Sequence, residues 1–212
     1  MSLHDDELHR FERAIRRIDA VHAEDPTRVD WQGRAWPREQ LHAERASDWI
    51  QRLDPGAGAL LRLAARAHHL RRWQLPRNDY PEGRAGYHAW RRELQRRHAE
   101  EAGALLGECG FEPEAVERVQ ALIQKRGLGR DPEVQRLEDA LCLVFVETQL
   151  EEFALRHPEE KIVGILRKSL RKMSPEGRAA AASIELSPAT GALLARAMAA
   201  FGSDGARQTA DG

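Results

Sequence analysis

Apolar residues recur at every third or fourth position along most of this chain, which is the spacing of amphipathic helices. The first run predicts a helix over about residues 5–22, with apolar positions at Leu8, Phe11, Ile15, Ile18 and Val21. Runs of the same spacing return up to about residue 201, and proline or glycine separates them. The pattern predicts an all-α fold.

Three stretches depart from this periodicity. Residues 29–36 predict a short β-hairpin or a wide loop that turns at Gln32 and Gly33. Residues 73–86 are rich in proline and glycine and predict a long loop, and such loops in compact domains are often functional. Residues 140–146 are apolar on every side, which is typical of a central buried helix.

A chain of 212 residues is long enough for one large domain with an extension. We expect a single helical domain over residues 1–157, which includes the N-terminal helix and the hairpin or loop. Residues 158–201 are expected to form a C-terminal helical extension packed on that domain. Residues 202–212 are expected to be a disordered tail.

Composition limits the classes of partner. Hydrophobic residues make up 42% of the chain and charged residues 32%, which favours a folded protein. The net charge of −1 provides no general attraction to nucleic acid or membrane. Arginines nevertheless outnumber acids over residues 62–97, which favours an anionic ligand, although solvated helix faces have the same composition.

The cysteine usage and the N-terminus indicate a cytoplasmic protein. Cys109 and Cys142 form no Cys-x-x-Cys pattern, and we expect both to be buried, reduced thiols. The first residues lack the basic and apolar regions of a signal peptide. No apolar run approaches the ~20 residues that cross a bilayer, so we expect no membrane partner.

The densest cluster of reactive side chains is the octet Arg66–Trp73, in which His68 and His69 precede Arg71 and Arg72. A histidine pair can bind a metal ion, and neighbouring arginines can hold an anionic oxygen. The alternative interpretation is a surface turn in an arginine-rich sequence.

Other polar residues favour the metal interpretation. His42 and His98 fall on the apolar stripes of their helices, and Asp139 adjoins the buried stretch 140–146. Each of them alone is more often structural, but together they lie on successive predicted helices. Imidazole plus carboxylate suits a divalent transition metal, which can activate water.

The order His42, His68–His69, His98 and Asp139, within residues 37–150, resembles the HD-domain superfamily of metal-dependent phosphohydrolases. This resemblance implies an HD-like helical fold and a divalent metal ion, which would be manganese, iron, zinc or nickel. The implied ligands are His42, His68, His69, His98 and Asp139.

The chain departs from that superfamily in having a His-His pair where the family has His-Asp. An imidazole in that place would favour a softer metal, or Asp79 or Glu138 could supply the carboxylate. The metal could also have been lost, which would leave an anion-binding pocket lined by arginine.

A narrower resemblance covers nearly the whole chain. Residues 69–73 (His-Leu-Arg-Arg-Trp), 84–87 (Arg-Ala-Gly-Tyr) and 137–139 (Leu-Glu-Asp) are similar to a bacterial family known as a domain of unknown function. Some members of that family carry the label "glutamyl-tRNA synthetase".

The implied activity is hydrolysis of a small phosphorylated, nucleotide-like molecule. Charge stabilisation at phosphate would come from Arg71, Arg72 and Lys125. The candidates for substrate binding are Arg77 and Arg84, with Trp73 and Tyr87 available to stack on a base or to pack the loop. Glu44 and Glu147 are candidates for orienting a ligand histidine.

The competing class is a non-catalytic helical binding protein, either an RNA- or tRNA-associated module or a protein-interaction module. The RNA-associated module would use the arginine-rich face of residues 62–97 and the basic helix of residues 161–172. In the protein-interaction module, the arginines would be solvated, and His42 and His98 would be core residues. The near-neutral charge and the lack of an RNA-binding motif make nucleic acid the less favoured partner. A homodimer is left open, and the sequence identifies no substrate.

Overall fold

The computed structural model describes residues 3–208, with side chains from Asp6 to Phe201. Helices make up 73% of the chain, and the only strands among the described residues form one two-stranded hairpin, which confirms the all-α prediction. The elements are α1 (Leu3–Ala23), β1 (Arg28–Trp31), β2 (Arg34–Pro37), α2 (Arg38–Leu53), α3 (Ala59–Ala67), α4 (Gly83–Glu108), α5 (Pro113–Ile123), α6 (Pro132–Thr148), α7 (Leu150–Arg156), α8 (Glu159–Leu170), α9 (Pro175–Ala182) and α10 (Pro188–Gln208).

The chain divides into two compact units, residues 1–137 and residues 138–212, and the boundary falls inside α6. The domain boundary predicted at residue 157 stays a prediction. α10 continues as helix through Gln208, within the stretch predicted as a tail, and residues 209–212 lie outside the described residues.

The first unit is built around α3, which packs against α1, α2, α4 and α5. Five of its nine residues are buried, and three of these five are alanines. Such small side chains let neighbouring helices approach closely. Because α3 is surrounded, the residues directly after its last turn emerge in the interior of the unit.

Residues 28–37 form a hairpin rather than a wide loop. The antiparallel strands pair Val29 with Trp36 and Trp31 with Arg34. Gln32 and Gly33 have φ angles of 54° and 74°, the left-handed backbone that a two-residue hairpin turn requires. The hairpin leads directly into α2, and Pro37 is the residue just before its first turn.

The proline- and glycine-rich segment predicted as a loop is packed against α4. It contains two 3-10 turns, Arg72–Gln74 and Arg77–Asp79, and α4 begins at Gly83, earlier than predicted. The Trp90 indole donates to the carbonyl of Leu75 at 2.9 Å. A Cβ atom on Gly86 would lie 1.9 Å from the carbonyl oxygen of Pro81, so this close approach requires glycine.

In the second unit, α8 packs against α10, and α7 contacts both. The buried side chains include Ile162 and Leu166 on α8 and Leu193 and Leu194 on α10. Cys142 and, in the first unit, Cys109 are buried and form no disulfide, as predicted. None of the described helices is both long and apolar enough to span a bilayer.

Candidate metal centre

The first turn of α2 carries two side chains of the centre, Glu39 and His42. They lie three residues apart and therefore project from the same face of the helix. The backbone N–H of Glu39, one of the donors that a helix start leaves unpaired, donates to Oδ2 of Asp25 at 2.9 Å. Glu39 is 4% exposed and His42 is 9% exposed, so both side chains point into the unit.

A turn with left-handed backbone brings His69 to these residues. α3 ends at Ala67, and His69 and Arg71 then adopt φ angles of 73° and 48°. For residues other than glycine this conformation costs on the order of 1 kcal/mol each. Leu70, between them, is 1% exposed, so burial of its side chain helps to hold the turn. Strain of this kind concentrates at functional sites.

Glu39, His42 and His69 each offer one atom able to bind a metal, and the three atoms lie within 4.8 Å of one another. Nδ1 of His42 is 3.3 Å from Oε2 of Glu39, and Nδ1 of His69 is 3.1 Å from the same oxygen. In a tetrahedral site with bonds of about 2.1 Å, ligand atoms stand about 3.4 Å apart. The spacing fits both hydrogen bonds to Glu39 and joint coordination of one ion, so the group could hold a metal.

The charge states of the group suit a metal ion. Burial raises the pKa of Glu39, but the hydrogen bonds from His42 and His69 outweigh it and hold that pKa well below its usual range. Burial, followed by the positive charge of Arg72, lowers the pKa of His69 to about 3. Near neutral pH the group therefore contains a carboxylate and a neutral imidazole, the forms that bind metals.

Arg72 adds a positive charge beside the carboxylate. Its Nε lies 3.6 Å from Oε1 of Glu39, and its guanidinium carbon lies 5.1 Å from the centroid of the Trp90 ring. A guanidinium stacked on an aromatic ring is fixed in orientation and offers several N–H donors.

His68 and His98 complete a buried group of imidazoles around His69. His68 is 7% exposed and His98 is 3% exposed. The His69 ring centroid lies 4.1 Å from that of His68 and 5.4 Å from that of His98. The structure thus brings the four predicted ligand histidines together, while their role as ligands stays a prediction.

Asp19 and His22 of α1 bind the end of α3, and Asp25, just after α1, binds the start of α2. These are the two segments that carry the group. His22 donates from Nε2 to the carbonyl of Arg66, and the Arg66 Nε donates to Asp19 at 2.5 Å. Asp25 accepts from the N–H groups of Thr27 and Glu39. Buried polar partners of this kind restrict the position of both the turn after α3 and the start of α2.

Asp139 lies in the second unit, where its carboxylate binds the start of α9. Oδ1 accepts from the backbone N–H of Ser174 at 2.8 Å, and Oδ2 accepts from the Ser174 hydroxyl at 2.6 Å. The same hydroxyl caps α9 by accepting from the N–H of Gly177. A Cβ atom on Gly177 would lie 2.7 Å from Cγ of Asp139, so the helix start and the carboxylate fit closely.

Four other predicted site residues have structural contacts. Arg71 pairs with Glu101 at 3.1 Å, and Arg77 donates to two loop carbonyls, those of Tyr80 and Pro81. Arg84 contacts His88 at 3.3 Å. Tyr87 is 46% exposed.

Two further predicted residues are half-buried. Trp73 lies in the first 3-10 turn, and Lys125 follows α5 with a φ angle of 57°. The substrate-binding and charge-stabilising roles of all six residues stay predictions.

The sequence-based set omits Glu39, the residue that joins two of the histidines. Its signal is the spacing Glu39-x-x-His42, because a carboxylate and an imidazole three residues apart share a helix face and recur in metal-binding bundles. Glu44 contacts Arg66 at 3.4 Å, and its predicted role as an orienting carboxylate stays a prediction.

A family model described as a domain of unknown function, DUF4202, matches residues 12–194. The chain belongs to the DUF4202 family. The match extends over parts of both units and every residue of the candidate centre, which confirms that the chain belongs to a family of unknown function. Comparisons of this DUF4202 chain with curated proteins and with solved structures found no match.

Proposed function

We propose that this DUF4202 protein is a metal-dependent hydrolase of a small phosphorylated molecule. The observation that carries the proposal is the buried group of Glu39, His42 and His69, whose ligand-type atoms lie within 4.8 Å of one another. The HD-domain resemblance belongs to the same proposal, since it predicts a metal bound by histidines from these segments of the chain.

The donor set fits a divalent transition metal. Two imidazoles and one carboxylate suit manganese, iron, zinc or nickel, and three protein ligands would leave positions for water and substrate. The side chain of His69 is 21% exposed, whereas that of Glu39 is 5% exposed. The centre therefore has one accessible side, while its carboxylate is removed from solvent.

The charge around the centre favours an anionic substrate. Glu39 supplies one negative charge to the group. Burial, followed by the positive charges of Arg91 and Arg38, lowers the pKa of the neighbouring Arg72. A divalent cation held by one carboxylate and two neutral imidazoles would keep a net positive charge. A phosphate ester, which carries one or two negative charges, would neutralise it.

When bound, a divalent cation supplies Lewis acidity, which lowers the pKa of water and polarises a phosphoryl group. Arg72 binds phosphoryl oxygens through its N–H donors and stabilises the charge that develops on them. In the reaction the water oxygen bonds to phosphorus, the ester P–O bond breaks, and the leaving oxygen takes one proton from water. The reaction requires no oxidant or reductant.

Two histidines and one carboxylate also bind iron(II) in non-haem oxygenases, which are a second candidate class. The concentration of arginines beside the centre favours hydrolysis of an anion over oxygen chemistry. The two classes differ in a measurable product, which is phosphate in the first and a reduced form of oxygen in the second.

The test combines metal content with activity on untagged protein. Elemental mass spectrometry is expected to find close to one metal ion per chain in the wild type and in His88→Ala, which alters an exposed histidine. His42→Ala and His69→Ala are expected to lose most of it. The metal-loaded wild type is then expected to release phosphate from p-nitrophenyl phosphate and from nucleoside monophosphates.

Two results would overturn the proposal. If manganese, iron, zinc and nickel all fail to bind, the non-catalytic binding alternative replaces it. Retained iron with oxygen consumption and no phosphate release would assign the centre to oxygen chemistry.

A further inference from the structure

Three buried nitrogen atoms beside the metal centre have no hydrogen-bond partner among the described residues. They are Nδ1 of His68, Nη1 of Arg72 and Nε2 of His98. A buried polar atom without a partner costs about 1–3 kcal/mol, so such atoms are rare unless a ligand or water binds them. Three around one centre indicate a bound group.

The three side chains belong to one neighbourhood. The ring centroids of His68 and His98 lie 6.1 Å apart, and His69 lies next to both rings. Arg72 interacts electrostatically with His98 and also contacts Glu39 of the metal centre. The unpartnered atoms therefore come from the turn after α3 and from α4, on the elements that surround His69.

The chemistry of these atoms selects the kind of ligand. A guanidinium has only donors, so the missing partner of Arg72 is an acceptor. The unpartnered ring nitrogens of His68 and His98 can each donate one N–H bond. One guanidinium donor and two imidazole donors match the oxygens of a tetrahedral oxyanion.

We propose that Arg72, His68 and His98 bind the oxygens of one phosphoryl group beside the Glu39–His42–His69 centre. This assigns His68 and His98 to the anion, whereas the sequence-based expectation assigns them to the metal. The role of this subsite in catalysis rests on the proposed function. Anion binding itself does not, because the three donors are separate from the three metal-binding residues.

Arg72 differs from its neighbour in a way that supports the assignment. Arg71 pairs with Glu101 at 3.1 Å and lies 4.0 Å from Glu24. The Nε of Arg72 lies 3.6 Å from Glu39, and its buried Nη1 has no partner among the described residues. A guanidinium that has an N–H donor without a partner and lies next to a metal centre is suited to bind an anion together with the metal.

The experiment is isothermal titration calorimetry of inorganic phosphate, on chelator-treated protein and on metal-loaded protein. Arg72→Gln and His98→Gln are expected to weaken phosphate binding at least tenfold in both forms. Arg96→Gln and His88→Gln, which alter exposed residues of α4, are expected to bind phosphate within twofold of the wild type. His98→Gln is also expected to keep its metal by elemental analysis.

If Arg72→Gln fails to fold by circular dichroism, Arg72→Lys replaces it. This variant keeps the charge but loses the planar donors, so at least threefold weaker binding is expected. Phosphate affinity unchanged in the Arg72 and His98 variants would overturn the inference. Loss of metal from His98→Gln would return that histidine to the metal site.

The two proposals fail separately. A wild type that binds phosphate after chelation but never binds metal would contradict the proposed function and keep the anion subsite. A wild type that binds metal but no phosphate in either form would keep the metal centre and contradict the subsite.

Discussion

Glu39 in the first unit and Asp139 in the second are both buried carboxylates, with exposures of 4% and 1%, yet their surroundings differ in kind. Side chains that can themselves bind a metal or an anion surround Glu39, namely His42, His69 and Arg72. Asp139 accepts two hydrogen bonds from Ser174 at the start of a helix. Burial of an acid is therefore a poor indicator of a metal site, and the identity of its partners is a better one.

The largest expected effect is on Glu39. Glu39→Ala leaves the buried imidazoles and Arg72 without their shared acceptor, so the free energy of unfolding is expected to fall by about 3 kcal/mol. Urea unfolding with a chelator present, followed by circular dichroism, measures the change without metal. Glu44→Ala on the same helix is the matched control and is expected to cost less than about 1 kcal/mol. Equal losses in both variants would remove the distinction between the two glutamates.

An intermediate effect is expected at Asp139. Asp139→Ala removes two hydrogen bonds to a charged acceptor, and the free energy of unfolding should decrease by about 2 kcal/mol. Ser174→Ala, which removes the helix cap as well, should cost about 1 kcal/mol.

The double variant tests whether these two residues act as a pair. It should lose less stability than the sum of the single changes, because both remove the same contact. Strict additivity would contradict a cap role for the carboxylate. Loss of metal from folded Asp139→Ala would instead support its predicted role as a ligand.

The smallest effect concerns acid sensitivity of the first unit. Burial lowers the pKa of His22, so in acid the unfolded chain binds a proton that the folded chain resists. The contribution of neutral His22 to the free energy of unfolding is therefore present above about pH 6.5. It is lost as the pH falls, by up to about 0.8 kcal/mol at pH 6.

His22→Gln keeps a donor for the Arg66 carbonyl but cannot titrate. Unfolding measured between pH 8 and pH 6 should therefore show a shallower decline in this variant than in the wild type. An unchanged slope would indicate that His22 is not protonated on unfolding.

Local sequence determined most of the secondary structure. The apolar period predicted the helices, and Gln32-Gly33 predicted the turn of a hairpin, because both signals act between residues close in the chain. The same period placed His42 and His98 on inward faces, and both are buried. The helix ends were less accurate: α4 begins at Gly83, inside the segment predicted as a loop, and its Gly86 packs against the Pro81 carbonyl.

Only the tertiary structure decided which polar groups meet. The contact of Glu39 with His69 spans 30 residues, and that of Asp139 with Ser174 spans 35 residues. The local hydrophobic periodicity therefore predicts neither contact. The turn that positions His69 uses left-handed backbone at a histidine and an arginine, which sequence propensity disfavours. Packing of the surrounding helices offsets that cost, and the contact of Glu39 with His69 therefore appears only in the folded chain.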